Sequence, residues 1–371
     1  MIIIFSGFIL RIALMVYNAG LGVLPGGEAD AITYHNLAIS YNLYLQQLEL
    51  FPVNTWEHRY GWIYTYFLGY VFYFTGIESF YFSGFLSCFV WFLSAIFFRK
   101  IMLKLKFEKK YINLAIVIYC FLLPTSIIYT TLTLREPYML LFFNVCALLI
   151  MNIYYEKEIK KILLNIVFLL ITFYIMAIFH IANLCFVIVF LPFIIIYYLI
   201  NKFNISKYTS TVLIILIVFF LSYFGYTEII FDNIKKYQLG HLYPTRIDRA
   251  AYYTRGEVLS LNYDLISFFI YICKNTFNYL VQPTISNLSS FKDFLLFCEN
   301  IVRLILVFFV LKKILLQFNN KTLFIIFLTM FIVMEITYAQ VTINWGTASR
   351  HHVPIMGIFI LLAFFPTRKA K

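Results

Sequence analysis

Residues 162–181 read Ile162-Leu-Leu-Asn-Ile-Val-Phe-Leu-Leu-Ile-Thr-Phe-Tyr-Ile-Met-Ala-Ile-Phe-His-Ile181 and contain no lysine, arginine, aspartate or glutamate. At about 1.5 Å of rise per residue, such a helix matches the roughly 30 Å hydrocarbon core of a bilayer. Lys157, Lys160 and Lys161 stand directly before it. The whole chain repeats this pattern. Of its 371 residues, 63% are hydrophobic and 12% charged, and the mean hydropathy is +0.86. That is more apolar surface than a water-soluble core can hide. The sequence therefore predicts an all-α, polytopic integral membrane protein, with residues 1–371 as a single membrane domain and no internal repeat or linker.

Apolar runs lie near 2–24, 59–75, 79–98, 111–130, 138–155, 162–181, 183–200, 209–226, 265–283, 294–311, 322–340 and 353–366. They predict about ten to twelve crossings. The start, Met1 to Phe5, has no basic region or cleavage site and reads as a retained first helix. Orientation follows from the basic loops, since lysine and arginine are retained on the cytoplasmic side. Residues 99–110, Lys157 to Lys161, Lys202 with Lys207, Lys312 to Lys321 and the tail from Arg368 form the inner face. Loops near 26–58, 131–137, 227–293 and 341–352 fall on the outer face. Two runs break the alternation. With 99–110 inside and 26–58 outside, 59–75 is not an ordinary crossing; 265–283, interrupted by Lys274 and Asn275, lies flat, re-enters or upsets the count.

The six cysteines fall singly, which indicates neither a disulfide framework nor a thiolate metal site. The formal charge of +12 sits largely in short loops beside apolar runs, so it reads as membrane orientation and not as a nucleic-acid surface. No glycine-rich phosphate loop and no HExxH motif is present.

After the first apolar run comes Gly26-Gly-Glu-Ala-Asp-Ala-Ile-Thr-Tyr-His-Asn-Leu-Ala-Ile-Ser-Tyr41. Glu28 and Asp30 are carboxylates in a place where a membrane protein rarely has them. Tyr34, Leu37, Ala38 and Tyr41 then recur at helical spacing, which predicts a short helix lying at the membrane surface. Asp30, Ala31, Tyr34 and Ala38, directly after a first transmembrane helix, form an Asp-Ala-x-x-Tyr-x-x-x-Ala pattern. It resembles the first exoplasmic loop of GT-C-type glycosyltransferases, the polyprenyl-phosphate-dependent enzymes related to protein mannosyltransferases and aminoarabinose transferases. The resemblance covers about the first third of the chain and implies that Asp30 acts on the acceptor hydroxyl. Family members often have a second acid beside the matching Asp; here Ala31 follows it and Glu28 lies two residues before. Which carboxylate acts stays open, as does a divalent metal held by Glu28; no other cofactor is indicated.

Three further clusters of charge stand at the outer face. They are Arg135 with Glu136; Arg246, Arg249 and Arg255 with Tyr252; and Arg350, His351 and His352. An arginine fork holds phosphate oxygens bidentately, and tyrosines offer flat surfaces to sugar rings. Arg135, Arg246, Arg249, Arg255, Arg350 and His351 are thus candidate phosphate ligands, with Tyr34 and Tyr252 beside the sugar. Plainer readings stand next to these. Glu28 and Asp30 suit the first turn of any helix, Arg135 and Glu136 can pair with each other, and five acids between Glu228 and Asp264 can neutralise the arginine-rich loop. Glu299, Arg303 and Glu335, inside apolar runs, are buried structural partners or a polar pathway.

Together these features predict a multi-pass glycosyltransferase of the inner (plasma) membrane with its site on the periplasmic or external face. The implied substrate is a saccharide on polyprenyl (undecaprenyl) phosphate or pyrophosphate, and the other contact is membrane lipid. With no sizeable soluble domain, the chain resembles in character the Wzy-type repeat-unit polymerases of O-antigen or capsule, whose partners would be a flippase and a chain-length regulator. A single-sugar transferase is the near alternative. A lipid-linked oligosaccharide flippase is the alternative of another class, against which stands the gathering of charge at one face. If Arg249 binds phosphate bidentately, Arg249→Lys weakens the transfer step although charge is kept; an unaltered product would leave Arg249 a structural role.

Overall fold

A computed structural model describes residues 1–21, 28–48, 62–180, 182–184, 186–188, 190–191, 265–288, 290–315, 320–342 and 345–367. Among the described residues the chain is 84% helix, without strands. In chain order the helices are α1 (Ile2–Leu21), α2 (Glu28–Leu45), α3 (Trp62–Thr75), α4 (Phe80–Lys104), α5 (Lys109–Val117), α6 (Pro124–Tyr129), α7 (Glu136–Tyr155) and α8 (Ile159–Phe179). They continue as α9 (Leu265–Val281), α10 (Phe291–Ile314), α11 (Lys321–Val341), α12 (Trp345–His351) and α13 (Met356–Ala363). Among the described residues six of these are long and apolar enough to cross a membrane: α1, α4, α7, α8, α10 and α11. The runs at 192–200 and 209–226 lie outside the described residues.

The two ends of the bundle differ in chemistry. At one end Lys104 donates to Asn152, Asn152 to Asn165 (3.3 Å) and Asn320 to the Tyr155 hydroxyl (2.7 Å), amid the lysines of the 104–110 and 157–161 turns. At the other end gather the first turns of α2, α4 and α7, the C-terminus of α8, and α12. The basic loops and the acidic first turn of α2 thus stand at opposite ends.

Helix α3 has 14 residues, about 21 Å of helix, and falls short of a crossing. It packs on α2, where Gly69 permits close approach: a Cβ there would stand 2.8 Å from Tyr41 Cδ1 and 2.9 Å from the Ala38 carbonyl. The buried face of α2 is Ala31, His35, Ala38 and Asn42, which shares Ala38 with the Tyr34, Leu37, Ala38 and Tyr41 stripe and leaves the other three residues of that stripe half-buried at its side. The reason is polar matching. The His35 ring meets the Ser83 hydroxyl (3.2 Å), Ser83 meets Thr133 (2.8 Å), and Asn42 donates to Glu78, while the tyrosines pack ring to ring against Tyr64, Tyr66 and Tyr70.

Two expected crossings take another form. The 353–366 run makes only the eight-residue α13, every residue of which is buried against neighbouring helices, so its apolarity serves protein and not lipid. The 111–130 run is not one helix. It proceeds as α5, a π-helical turn at Ile118–Leu122, an extended Leu123 and then α6, because Pro124 lacks an N–H and its ring blocks the preceding turn. Broken backbone at membrane depth must find partners within the protein. Arg11 of α1, fully buried, donates to the Cys120 carbonyl (3.0 Å), to the Thr130 hydroxyl (2.8 Å) and to the Gly7 carbonyl (3.1 Å), with its guanidinium 3.5 Å above the Trp91 ring. On the other side of the break the Glu299 carboxylate of α10 accepts from the Thr125 N–H (2.8 Å) and hydroxyl (2.6 Å).

Glu299→Gln removes a buried charge that Arg303 also contacts, at 2.5 Å, and leaves the partly buried Arg303 guanidinium without its counter-charge. The expected loss of stability is about 3 kcal/mol. A thermal-shift measurement in detergent checks it, and an unchanged melting temperature would remove Glu299 from the role of clasp.

Candidate active site

Helix α6 ends at Tyr129, and a short turn carries the chain to Arg135 and Glu136, which open α7. Pro137 in the first turn of α7 costs no hydrogen bond there. Arg350 enters from the last turn of α12 and Asp30 from the first turn of α2. The Arg350 guanidinium lies between two carboxylates. Its Nη1 donates to Asp30 Oδ2, and its Nε stands 2.9 Å from Glu136 Oε1, although that N–H does not point at the oxygen. The carboxylates differ in setting: the Glu136 side chain is 3% exposed, that of Asp30 50%, with Arg350 at 10%. Burial opposes the charge on Arg350, but Glu136 and then Asp30 outweigh it, and the guanidinium ionises well above the ordinary arginine range. Glu136 Oε2, buried, accepts no hydrogen bond among the described residues.

Around this triad lie Arg135, Tyr34, His180, His351 and Tyr338. Arg135 donates to the Phe179 carbonyl at the end of α8 (3.4 Å) and stands 6.0 Å above the Tyr34 ring. His180 receives the Ala182 N–H on Nδ1 (3.1 Å), so a neutral ring carries its proton on Nε2, which is buried without a hydrogen-bond partner among the described residues. Burial, and after it the charge of Arg135, pushes His180 well below the ordinary histidine value. His351 is lowered as well, by burial and then by Arg350.

The sequence-based site divides accordingly. Asp30, Tyr34, Arg135 and Arg350 come together, with Glu136 as the counter-charge. Glu28 is the first residue of the same helix. His351 does not reach the surface as a phosphate ligand: it is 2% exposed, stacks on Tyr338 (4.7 Å between centroids) and binds the Thr342 hydroxyl through Nδ1 (2.8 Å). Arg246, Arg249, Arg255 and Tyr252 lie outside the described residues. Among the described residues no three His, Cys, Asp or Glu side chains group so as to hold a metal ion.

A second polar cluster stands behind the first. Both ring nitrogens of His352 face oxygen atoms, Glu335 Oε2 at 2.9 Å and the Tyr279 carbonyl at 3.3 Å, while Asn300 caps the Val281 carbonyl at 3.1 Å. These side chains satisfy the last carbonyls of α9, which no intrahelical N–H can reach. A small cleft lined by Gln282, Asn300, Arg303, Ser349 and His352 opens beside them. The hydrogen bond between Tyr129 and Ser349, the residue before Arg350, joins this cluster to the end of α6 (3.0 Å). Arg11 escapes a reading by loop charge, but a lone arginine in the middle of an apolar helix is signal enough.

Fold and site define a polytopic, all-helical membrane protein with a buried, ion-paired cluster at the end of its bundle opposite the lysines. The chain matches no protein-family model, no curated protein and no solved structure.

The unequal exposure of the two acids sets an order of energies. Arg350→Gln leaves Glu136 charged and buried, at an expected cost of about 3 kcal/mol, whereas the half-exposed Asp30 contributes under about 1 kcal/mol to the fold. Adding Glu136→Gln to Arg350→Gln recovers most of the lost melting temperature; no recovery would mean that Glu136 is not the structural counter-charge.

Proposed function

We propose that this chain is a GT-C-like glycosyltransferase of the inner membrane, with its site facing the external side. It would transfer a saccharide from a polyprenyl-linked donor in surface polysaccharide assembly, as a repeat-unit polymerase. The observation that carries this reading is a half-exposed carboxylate, Asp30, on the outer side of a buried arginine, Arg350, itself anchored by Glu136. Such an arrangement supplies the two groups the reaction needs, a base for an entering hydroxyl and a fixed cation for a departing phosphate.

In the transfer, Asp30 takes the proton of the acceptor hydroxyl as that oxygen forms its bond to the anomeric carbon. The bond between the anomeric carbon and the phosphate oxygen breaks, and the polyprenyl phosphate or pyrophosphate leaves with the electron pair. Arg350, and Arg135 beside Tyr34, hold its oxygens. The low-dielectric setting of Arg350 strengthens that contact where charge develops. Nothing in the transfer requires a second protein; chain-length regulators and flippases would act before and after it.

Asp30→Asn lowers turnover of an undecaprenyl-pyrophosphate-linked oligosaccharide by at least about 100-fold, the usual contribution of a general base, and shortens the polymer to single repeats. Polymer of normal length at normal protein level would sink the assignment.

A further inference from the structure

The pair Asp30–Arg350 has a consequence for the order of events, given the transfer reading above, on which this inference rests. Asp30 Oδ2 accepts an N–H from Arg350, so a lone pair that a base would use is already engaged. The same contact occupies the outward side of the guanidinium, because Glu136 holds it from the buried side. Base and anion site therefore block each other. We infer that Asp30 is a latch on the anion site: the phosphate of the polyprenyl donor takes the place of Asp30 on Arg350, and only the displaced carboxylate serves the acceptor hydroxyl.

Three features make the exchange run in this direction. A pyrophosphate-linked donor carries two negative charges, one on each phosphate, against one on the carboxylate, and its oxygens match the planar fork of arginine. Asp30, half exposed, regains water when it leaves, whereas Glu136 at 3% exposure has none to regain and stays. Asp30 also lies in the first turn of α2, so a rotamer change at its own side chain suffices and the Arg350 backbone, bonded from Val353 N–H to its carbonyl, need not move. The device makes binding ordered. Donor must arrive before acceptor is activated, and an empty site does not hand its base to water.

The test is affinity for the isoprenyl phosphate or diphosphate group that the donor carries and releases. The full-length protein in detergent is titrated with farnesyl monophosphate and with farnesyl diphosphate by calorimetry, as wild type, Asp30→Asn and Asp30→Ser, each checked for fold by its melting temperature. Removing the competitor tightens binding at least about threefold, the scale of a half-exposed ion pair, while turnover falls. Glu78→Gln deletes a like charge at the far end of α2, where Glu78 meets Asn42, and leaves affinity unchanged. Wild-type binding that Asp30→Asn and Asp30→Ser leave equal or weaken overturns the latch and spares the transfer reading. An equal gain in Glu78→Gln overturns it too, as a general effect of charge. No binding by any variant overturns the phosphate site and the latch together.

Discussion

A guanidinium held between a buried and a half-exposed carboxylate is the contact on which this end of the molecule depends. Arg350 belongs to α12, Glu136 to α7 and Asp30 to α2, so one side chain joins elements that enter the sequence more than a hundred residues apart. Taking a charge out of water costs several kcal/mol after relaxation, and a partner must offset that cost for the fold to survive. Glu136 does so from beneath. Asp30, half exposed to water, adds little to stability. The arrangement separates the acid that holds the fold from the acid that faces water.

The platform under that contact is a broken helix. The segment from Pro124 to Tyr129 leads straight into the turn that presents Arg135 and Glu136, so any slack at the Leu123 break would pass to the site. The protein removes the slack with charge. Arg11 binds the carbonyl before the break and Glu299 the N–H after it, which ties α1 and α10 to the same point from opposite sides. Ser83 and Thr133 then tie the turn to α4, whose first residues also hold His35 of α2. Hydrogen bonds buried in so apolar a setting gain strength and are costly to leave unmade, so these few contacts fix the relative height of α2 and α7.

Much of this was legible in the sequence, though not its pairings. Long apolar runs announced α1, α4, α7, α8, α10 and α11, since length and composition suffice for a crossing. Asp30, Arg135, Glu136 and Arg350 stood out as charges beside apolar runs. Hydropathy misread two runs. Residues 353–366 are as apolar as any lipid-facing helix because α13 is enclosed on all sides, and 111–130 hid a break that only Pro124 betrayed. The partners of α2 gave no signal in its apolar period: Tyr34, Leu37, Ala38 and Tyr41 recur at helical spacing, while His35 and Asn42 are the residues that meet Ser83 and Glu78. Which acid pairs with Arg350 could not be read at all, because nothing in local spacing links positions 30, 136 and 350.

The buried polar groups also sort themselves by how completely they are served. Glu299 accepts from Thr125 twice and from Arg303 twice, and such saturation marks a fastener: nothing is left with which to bind a further group. At the α2 end the accounting differs. Among the described residues Glu136 Oε2 accepts no hydrogen bond, the Arg350 Nε is misaligned with its carboxylate, and the Nε2 of His180 is buried without a hydrogen-bond partner. Folded proteins leave few buried polar atoms unserved, and each one left so within a single cluster raises the cost of keeping that cluster. Apolar residues of the same shape would hold α7 and α12 together with less penalty, as replacements of buried ion pairs generally do. Unserved polar atoms also occur at the Leu123 break, where Arg11 Nη2 and Ser126 Oγ have no hydrogen-bond partner among the described residues, so the α2 end is distinguished by gathering three of them, on Glu136, Arg350 and His180, within one cluster.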